Sequence, residues 1–86
     1  MKTFTLTISS QDGDLFRGDV EMMIVRGTEG DLAVMAGHVP FVTAVVRGKC
    51  AVIVSENARK DGTNEEGLLT VDPEQVTVLT SALEFE

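Results

Sequence analysis

The chain has 86 residues, with 7 Lys and Arg against 14 Asp and Glu, a net charge of −7, a single cysteine and no Trp or Tyr. A chain of this length is one domain, residues 1–86, that buries about 60–65% of its unfolded surface and has a small margin of stability. The negative charge and the lack of stacking platforms argue against a nucleic-acid groove, and the same charge opposes anionic lipid head groups, so no direct lipid insertion is expected.

Lys2 is followed by Thr3-Phe4-Thr5-Leu6-Thr7-Ile8, which alternates and predicts a strand with Phe4, Leu6 and Ile8 inward and Thr3, Thr5, Thr7 and Ser9 outward. This is not the continuous apolar core of a signal peptide, and no run approaches the length of a membrane span, so the protein is expected in the cytosol. Gln11-Asp12-Gly13-Asp14 reads as a turn, and Leu15-Phe16-Arg17-Gly18 as a brief extended piece. Asp19 to Arg26 predicts a strand with Val20, Met22 and Ile24 inward. Met23 and Val25 then break its polar face, which points to an outer surface covered by a second sheet or another protein.

Gly27 to Ala44 concentrates the turn chemistry, the only histidine and one of the two prolines. Gly27 and Gly30 bracket Thr28-Glu29 at a spacing that suits a tight turn. Leu32, Ala33, Val34 and Met35 read as a short buried strand. Ala36 to Pro40 is a second turn, with Gly37 free to take the left-handed conformation and Pro40 pushing Val39 toward extended geometry. Phe41 to Val46 resumes as a strand, which leaves His38 on a stiff loop between two strands.

Arg47-Gly48-Lys49 turns into a strand from Cys50 to Ser55, where the cysteine reads as a buried thiol. Asn57 to Glu66 is the most polar stretch, and its Asp61-Gly62 pair predicts a solvated hairpin tip that opens more easily than its surroundings. Gly67 to Val71 is a strand, Asp72-Pro73-Glu74-Gln75 a turn, and Val76 to Thr80 a last strand. The tail Ser81 to Glu86 is too short for a helix of its own. Short β-rich runs divided by Gly, Asp and Pro turns predict an all-β antiparallel sandwich or barrel.

Catalytic patterns are sparse. One histidine and one distant cysteine do not make a zinc site. Gly27-Thr28-Glu29-Gly30 lacks the Gly-Lys-Ser/Thr ending of a phosphate loop and places Glu29 and Asp31 where phosphate would sit. Those two carboxylates, on a shallow turn, have no setting that would shift their pKa values for acid/base work. No cofactor is implied. His38 has two readings: a ring that caps a neighbouring carbonyl, or the polar tip of a docking surface made with Val39, Pro40 and Phe41.

Four segments carry a family resemblance: the opening strand; Phe16-Arg17-Gly18-Asp19-Val20; Gly27-x-x-Gly30-Asp31-Leu32 through Gly37-His38-x-Pro40 with Val42-Thr43; and Val76-Thr77-Val78-Leu79. From Thr3 to Ser81 the chain resembles the amino-terminal β-sandwich domain of the epsilon subunit of rotary ATP synthases. The resemblance implies a flattened antiparallel β-sandwich of two sheets and about ten short strands. It implies a non-catalytic subunit of the central stalk, which binds the gamma subunit and the polar loops of the c-ring and couples proton or sodium translocation to ATP synthesis. Such a subunit is peripheral, on the cytoplasmic face of the energy-transducing membrane. By position, Asp31 matches the acidic residue of the ring-facing turn, and Ser10 and His38 match positions near the gamma contact. The partner-binding set is thus Ser10, Glu29, Asp31, His38, Val39, Pro40 and Phe41.

The sequence departs from that family where an apolar strand normally runs into a Gly-Gly pair: it has Asp61-Gly62-Thr63-Asn64-Glu65-Glu66 and a single Gly67, so a strand is expected to be lost, shortened or replaced by a mobile hairpin. The family's carboxy-terminal helical hairpin has no counterpart up to Glu86, so its inhibitory and ATP-binding roles do not carry over. A second reading is a lipoyl- or biotinyl-type carrier domain with Lys60 as the attachment site at a hairpin tip. Against it, Lys60 lacks the flanking residues of such carriers.

Overall fold

The computed structural model describes residues 2–86, which form ten strands and no helix. In chain order they are β1 (Phe4–Ser10), β2 (Gly13–Val20), β3 (Met22–Gly27), β4 (Gly30–Met35), β5 (Phe41–Val45), β6 (Gly48–Ser55), β7 (Ala58–Asn64), β8 (Gly67–Val71), β9 (Gln75–Thr80) and β10 (Leu83–Phe85). Hydrogen bonding links them along one path, β10-β7-β6-β3-β5-β8-β9-β1-β2, with β4 attached to the side of β3. The path folds into two layers, β10-β7-β6-β3 with β4 and β5-β8-β9-β1-β2, and is nearly closed.

The layers join at the end of β3. Its first half pairs with β6 through Met22, Met23 and Ile24, whereas Gly27 pairs with Val45 of β5 and the Val46 N–H donates to the Arg26 carbonyl at 3.0 Å. On the far side β2 packs against β6, and Phe16 meets Phe85 edge to face. The sheet is mixed: β1 runs parallel to β9, with Leu6 beside Val76 and Ile8 beside Val78. The other pairings are antiparallel.

Alternation predicts the core well in β1, where Phe4, Leu6 and Ile8 are buried. Leu69 and Val71 of β8 and Val76 and Val78 of β9 complete that layer's inner face, opposite Met23, Val25, Val34, Cys50 and Val52. The expected parity of β3 is reversed. A bend at Glu21 separates β2 from β3 and shifts the pleat, so Val20 ends β2 buried and Met23 and Val25 point inward, leaving Met22 and Ile24 half-buried. The segment from Leu32 to Met35 is also less enclosed than expected. As an outer strand with one face in water, it buries Val34 fully and exposes Ala33 and Met35.

The polar stretch corrects the hairpin reading. Its turn is at Glu56-Asn57, and Ala58–Asn64 is a full strand between β6 and β10, with Gly62 opposite Cys50 on one side and Phe85 on the other. Gly62 is there for close approach: a Cβ would come within 2.5 Å of the Glu84 carbonyl oxygen. The strand the family pattern seemed to lack is therefore present, paired by backbone groups that do not depend on apolar side chains. The tail contributes β10 to the same layer.

Two buried polar residues tie the ends of β7 and β9. Asn64 Nδ2 donates to the carbonyls of Glu65 at 2.7 Å and Val46 at 3.3 Å, and Thr80 Oγ1 lies 2.9 Å from the same Glu65 carbonyl. Buried donors are held in this way because leaving them unpaired is costly, while Asn64 Oδ1 has no hydrogen-bond partner among the described residues.

Candidate functional site

The β3–β4 hairpin is the first of two stiff loops. Gly27 pairs with Gly30 around the two-residue turn Thr28-Glu29. Both turn residues keep negative φ, and Gly30, at 123°, takes the backbone geometry that a residue with a Cβ rarely adopts. Just inside the turn, Arg26 and Asp31 face each other across the pair, and their side chains form an exposed ion pair of 3.2 Å. Glu29 stands exposed at the tip. Asp31 thus reaches solvent already paired to a cation, a feature the spacing did not reveal.

The second loop follows β4. Gly37 adopts φ 82°, its N–H donates to the Pro73 carbonyl at 3.0 Å, and the His38 N–H donates to the Met35 carbonyl at 3.3 Å. His38 Nδ1 lies 2.9 Å from the Val39 carbonyl oxygen. Because that oxygen only accepts, the proton sits on Nδ1. The imidazole also lies 4.9 Å from the Phe41 ring, which itself packs on the core. The ring therefore caps a carbonyl, as one of the two readings expected, and the loop it braces presents Val39, 69% exposed, and Pro40.

Strand register separates the predicted residues into two groups. Gly27, Val45, Gly67 and Thr80 form one row across β3, β5, β8 and β9, and Ser9 lies beside Leu79, so the Glu29-Asp31 turn and Ser10 occupy one end of the sandwich. Phe41, Val71 and Val76 form the row at the other end, with His38, Val39 and Pro40. Ser10 and His38 are therefore not brought together. Ser10 acts locally: its Oγ accepts the Asp12 N–H at 3.2 Å and lies 3.4 Å from the Gly13 carbonyl, which holds the β1–β2 turn.

An apolar face between those ends escaped the reading of the sequence. On the outside of β5, β8 and β9, Ala44 lies beside Leu68 and Leu68 beside Leu79, while Val42 heads the neighbouring row with Thr70 and Thr77. Val42, Leu68 and Leu79 are 61%, 45% and 52% exposed. This face carries no charged side chain on those rows. The signal was present in Leu68-Leu69 and Val78-Leu79, where apolar residues occupy both parities of a strand.

Lys60 lies in the middle of β7, not at a hairpin tip. Its ammonium sits over the rings of Phe16 and Phe85, 5.9 and 5.6 Å from their centroids. A carrier lysine must be presented on a turn, so the carrier reading has no support here. Among the described residues no group of three or more His, Cys, Asp or Glu side chains is placed to hold a metal ion.

Residues 3–86 match the family model described as the ATP synthase delta/epsilon chain, beta-sandwich domain. The chain belongs to this family. It is 37% identical over 84 residues to the sodium-ion-specific ATP synthase epsilon chain of Acetobacterium woodii, and 35% identical over 89 residues to the ATP synthase epsilon chain of Bacillus subtilis. Each alignment covers 98% of this chain and 63% of the relative. The chain thus spans less than two thirds of the length of these relatives.

Solved structures agree on the fold of the epsilon-type sandwich. A chain from the mitochondrial ATP synthase of Euglena gracilis, in a structure of OSCP, F1 and c-ring, superposes with a TM-score of 0.89 at 22% identity, covering 96% of this chain and 53% of that one. A chain from the central stalk and c-ring of the Tetrahymena thermophila mitochondrial enzyme gives 0.81 at 11% identity, covering 96% and 66%.

Proposed function

We propose that residues 1–86 act as one unit, the β-sandwich portion of a non-catalytic central-stalk subunit of a rotary ATP synthase. In this reading it docks the gamma subunit to the c-ring on the cytoplasmic side of the membrane and helps couple proton or sodium flow to ATP synthesis. The single observation that carries it is the division of surface chemistry on a family-typical fold. One end presents a carboxylate turn, Glu29 and Asp31, suited to polar or basic ring loops, and the other presents the stiffened His38-Val39-Pro40 loop beside an uncharged apolar face. Exposed apolar area of this kind marks a protein contact, and we assign it to gamma.

The test uses the intact chain and purified gamma subunit. Val42→Asp puts a charge on an exposed strand position, so the melting temperature should hold while calorimetric binding to gamma is lost. Unchanged binding with an intact fold would show that this face is not the gamma contact.

A further inference from the structure

Three of the four arginines hold a carboxylate: Arg26 pairs with Asp31, Arg47 with Glu65 and Arg59 with Asp61. Arg17 does not, although the chain carries 14 acidic residues and two of them, Asp14 and Asp19, lie on its own strand. Hydroxyls of the neighbouring β1 hold those two instead. Thr5 Oγ1 donates to Asp19 Oδ1 at 3.0 Å, and Ser9 Oγ donates to Asp14 Oδ1 at 2.7 Å. The guanidinium between them is exposed and makes no ion pair among the described residues.

Register connects Arg17 to the apolar face. Val42, Thr70, Thr77, Thr7 and Arg17 follow one another on a single row across β5, β8, β9, β1 and β2, and a second row runs Ala44, Leu68, Leu79, Ser9, Asp14. The row between them holds Leu69, Val78 and Ile8, all buried, so both of these rows face outward. Outward side chains thus pass from apolar on β5, β8 and β9, through hydroxyls on β1, to charges on β2. This is the order of an interface, with an apolar centre and a polar margin that sets orientation. At about 4.8 Å per strand, the row spans about 19 Å from Val42 to Arg17.

We infer that Arg17 is the polar anchor of the contact assigned above to gamma, an assignment on which this step rests, and that it takes a carboxylate from that subunit. Its fork of donors grips a carboxylate through two parallel hydrogen bonds, and a guanidinium is less strongly hydrated than an ammonium, so it leaves water at lower cost. Asp14 and Asp19, occupied by Ser9 and Thr5, leave the guanidinium free and repel an acidic group that arrives off centre. The matching surface of gamma has an apolar patch over Val42, Leu68 and Leu79 and an acidic side chain about 19 Å from the Val42 contact, over β2. Blunting the open edge of β2 asks only for charge, and lysine would serve as well. A carboxylate contact asks for the fork.

Calorimetry of the intact chain with purified gamma tests this beside Val42→Asp. Arg17→Gln should weaken binding about tenfold, Arg17→Lys should recover only part of that loss, and Arg17→Glu should weaken binding further, by an amount that shrinks as salt rises. The melting temperature should hold in all three, because the side chain is exposed and unpaired. Loss of binding in Val42→Asp with full binding in Arg17→Gln and Arg17→Glu would overturn the inference and leave the gamma face standing. Full binding in Val42→Asp would remove the face and the anchor together. Full recovery by lysine would make Arg17 an edge charge and would also overturn the inference.

Discussion

Phe16 of β2 and Phe85 of β10 stand edge to face with ring centroids 5.9 Å apart, and this contact joins the two ends of a nine-strand hydrogen-bonded path. Lys60 of β7 covers both rings with its ammonium. A sheet with no ladder between its ends is here held shut by side chains alone.

Lys60→Met should therefore weaken the seam without emptying it. The loss of an exposed cation–π contact is about 0.5–1 kcal/mol, and Phe85→Ala should cost more, because the aromatic pair adds to the apolar area removed. Urea unfolding of both single variants and the double variant measures the coupling. Additive effects would show that the ammonium and the rings do not interact.

Gly62→Ala tests the close approach of β7 and β10. The added methyl meets the Glu84 carbonyl oxygen, which belongs to backbone and yields only if the strand moves. Overpacking of this kind costs about 1–3 kcal/mol. Amide exchange should accelerate at Leu83–Phe85 and stay slow in β1. Unchanged protection in β10 would mean that the strand accommodates a side chain at this position.

Cys50 reports on opening. Burial pushes its thiol above the ordinary value of 9.0, and the Asp61 carboxylate adds to the shift. A thiol with a raised folded pKa binds its proton more tightly in the native state, so this contribution to stability is complete below the unfolded value and is lost as pH rises through the folded one. Stability should thus fall on raising the pH above about 9, and Cys50→Ala should flatten that part of the profile. Thiol labelling near pH 8 should be slow in the native protein and fast in urea.

The two loops should respond differently to substitution. Asp31→Arg breaks an exposed ion pair worth at most about 1 kcal/mol, so the melting temperature should scarcely change, while coupling to the c-ring in reconstituted membranes should fall, most clearly at low salt. His38→Ala removes the ring that braces Val39 and should weaken gamma binding by about 1–2 kcal/mol. Calorimetry and proton or sodium pumping distinguish the two. Unfolding by either variant would make that residue structural.

Local rules account for much of this fold. The alternation of Phe4, Leu6 and Ile8 is legible because one buried face imposes period two on a single strand, and Gly30 and Gly37 are legible because their positive φ is a property of their own backbone. The two stiff loops, Thr28-Glu29 and the one after β4, were readable for the same reason. His38 remained ambiguous because the atoms that bind its ring, the Val39 carbonyl and the Phe41 face, become fixed only when the loop closes on Pro73.

Non-local pairing decided the rest. Asp61-Gly62 carries a turn signal, yet Gly62 lies within β7 because the backbone of β10 crosses it; a glycine needed for positive φ and one needed for close approach look alike in a sequence. The parity of Met23 and Val25 depends on a bend at Glu21 that no residue type announces. The parallel pairing of β1 with β9 joins residues about 70 positions apart. Residue order and composition determine which segments extend and where the chain can turn, since those are short-range energies. Which edges meet, which polar strand is enclosed and which apolar face is left exposed follow from distant backbones competing for the same hydrogen bonds, and that competition is settled only in the assembled sheet.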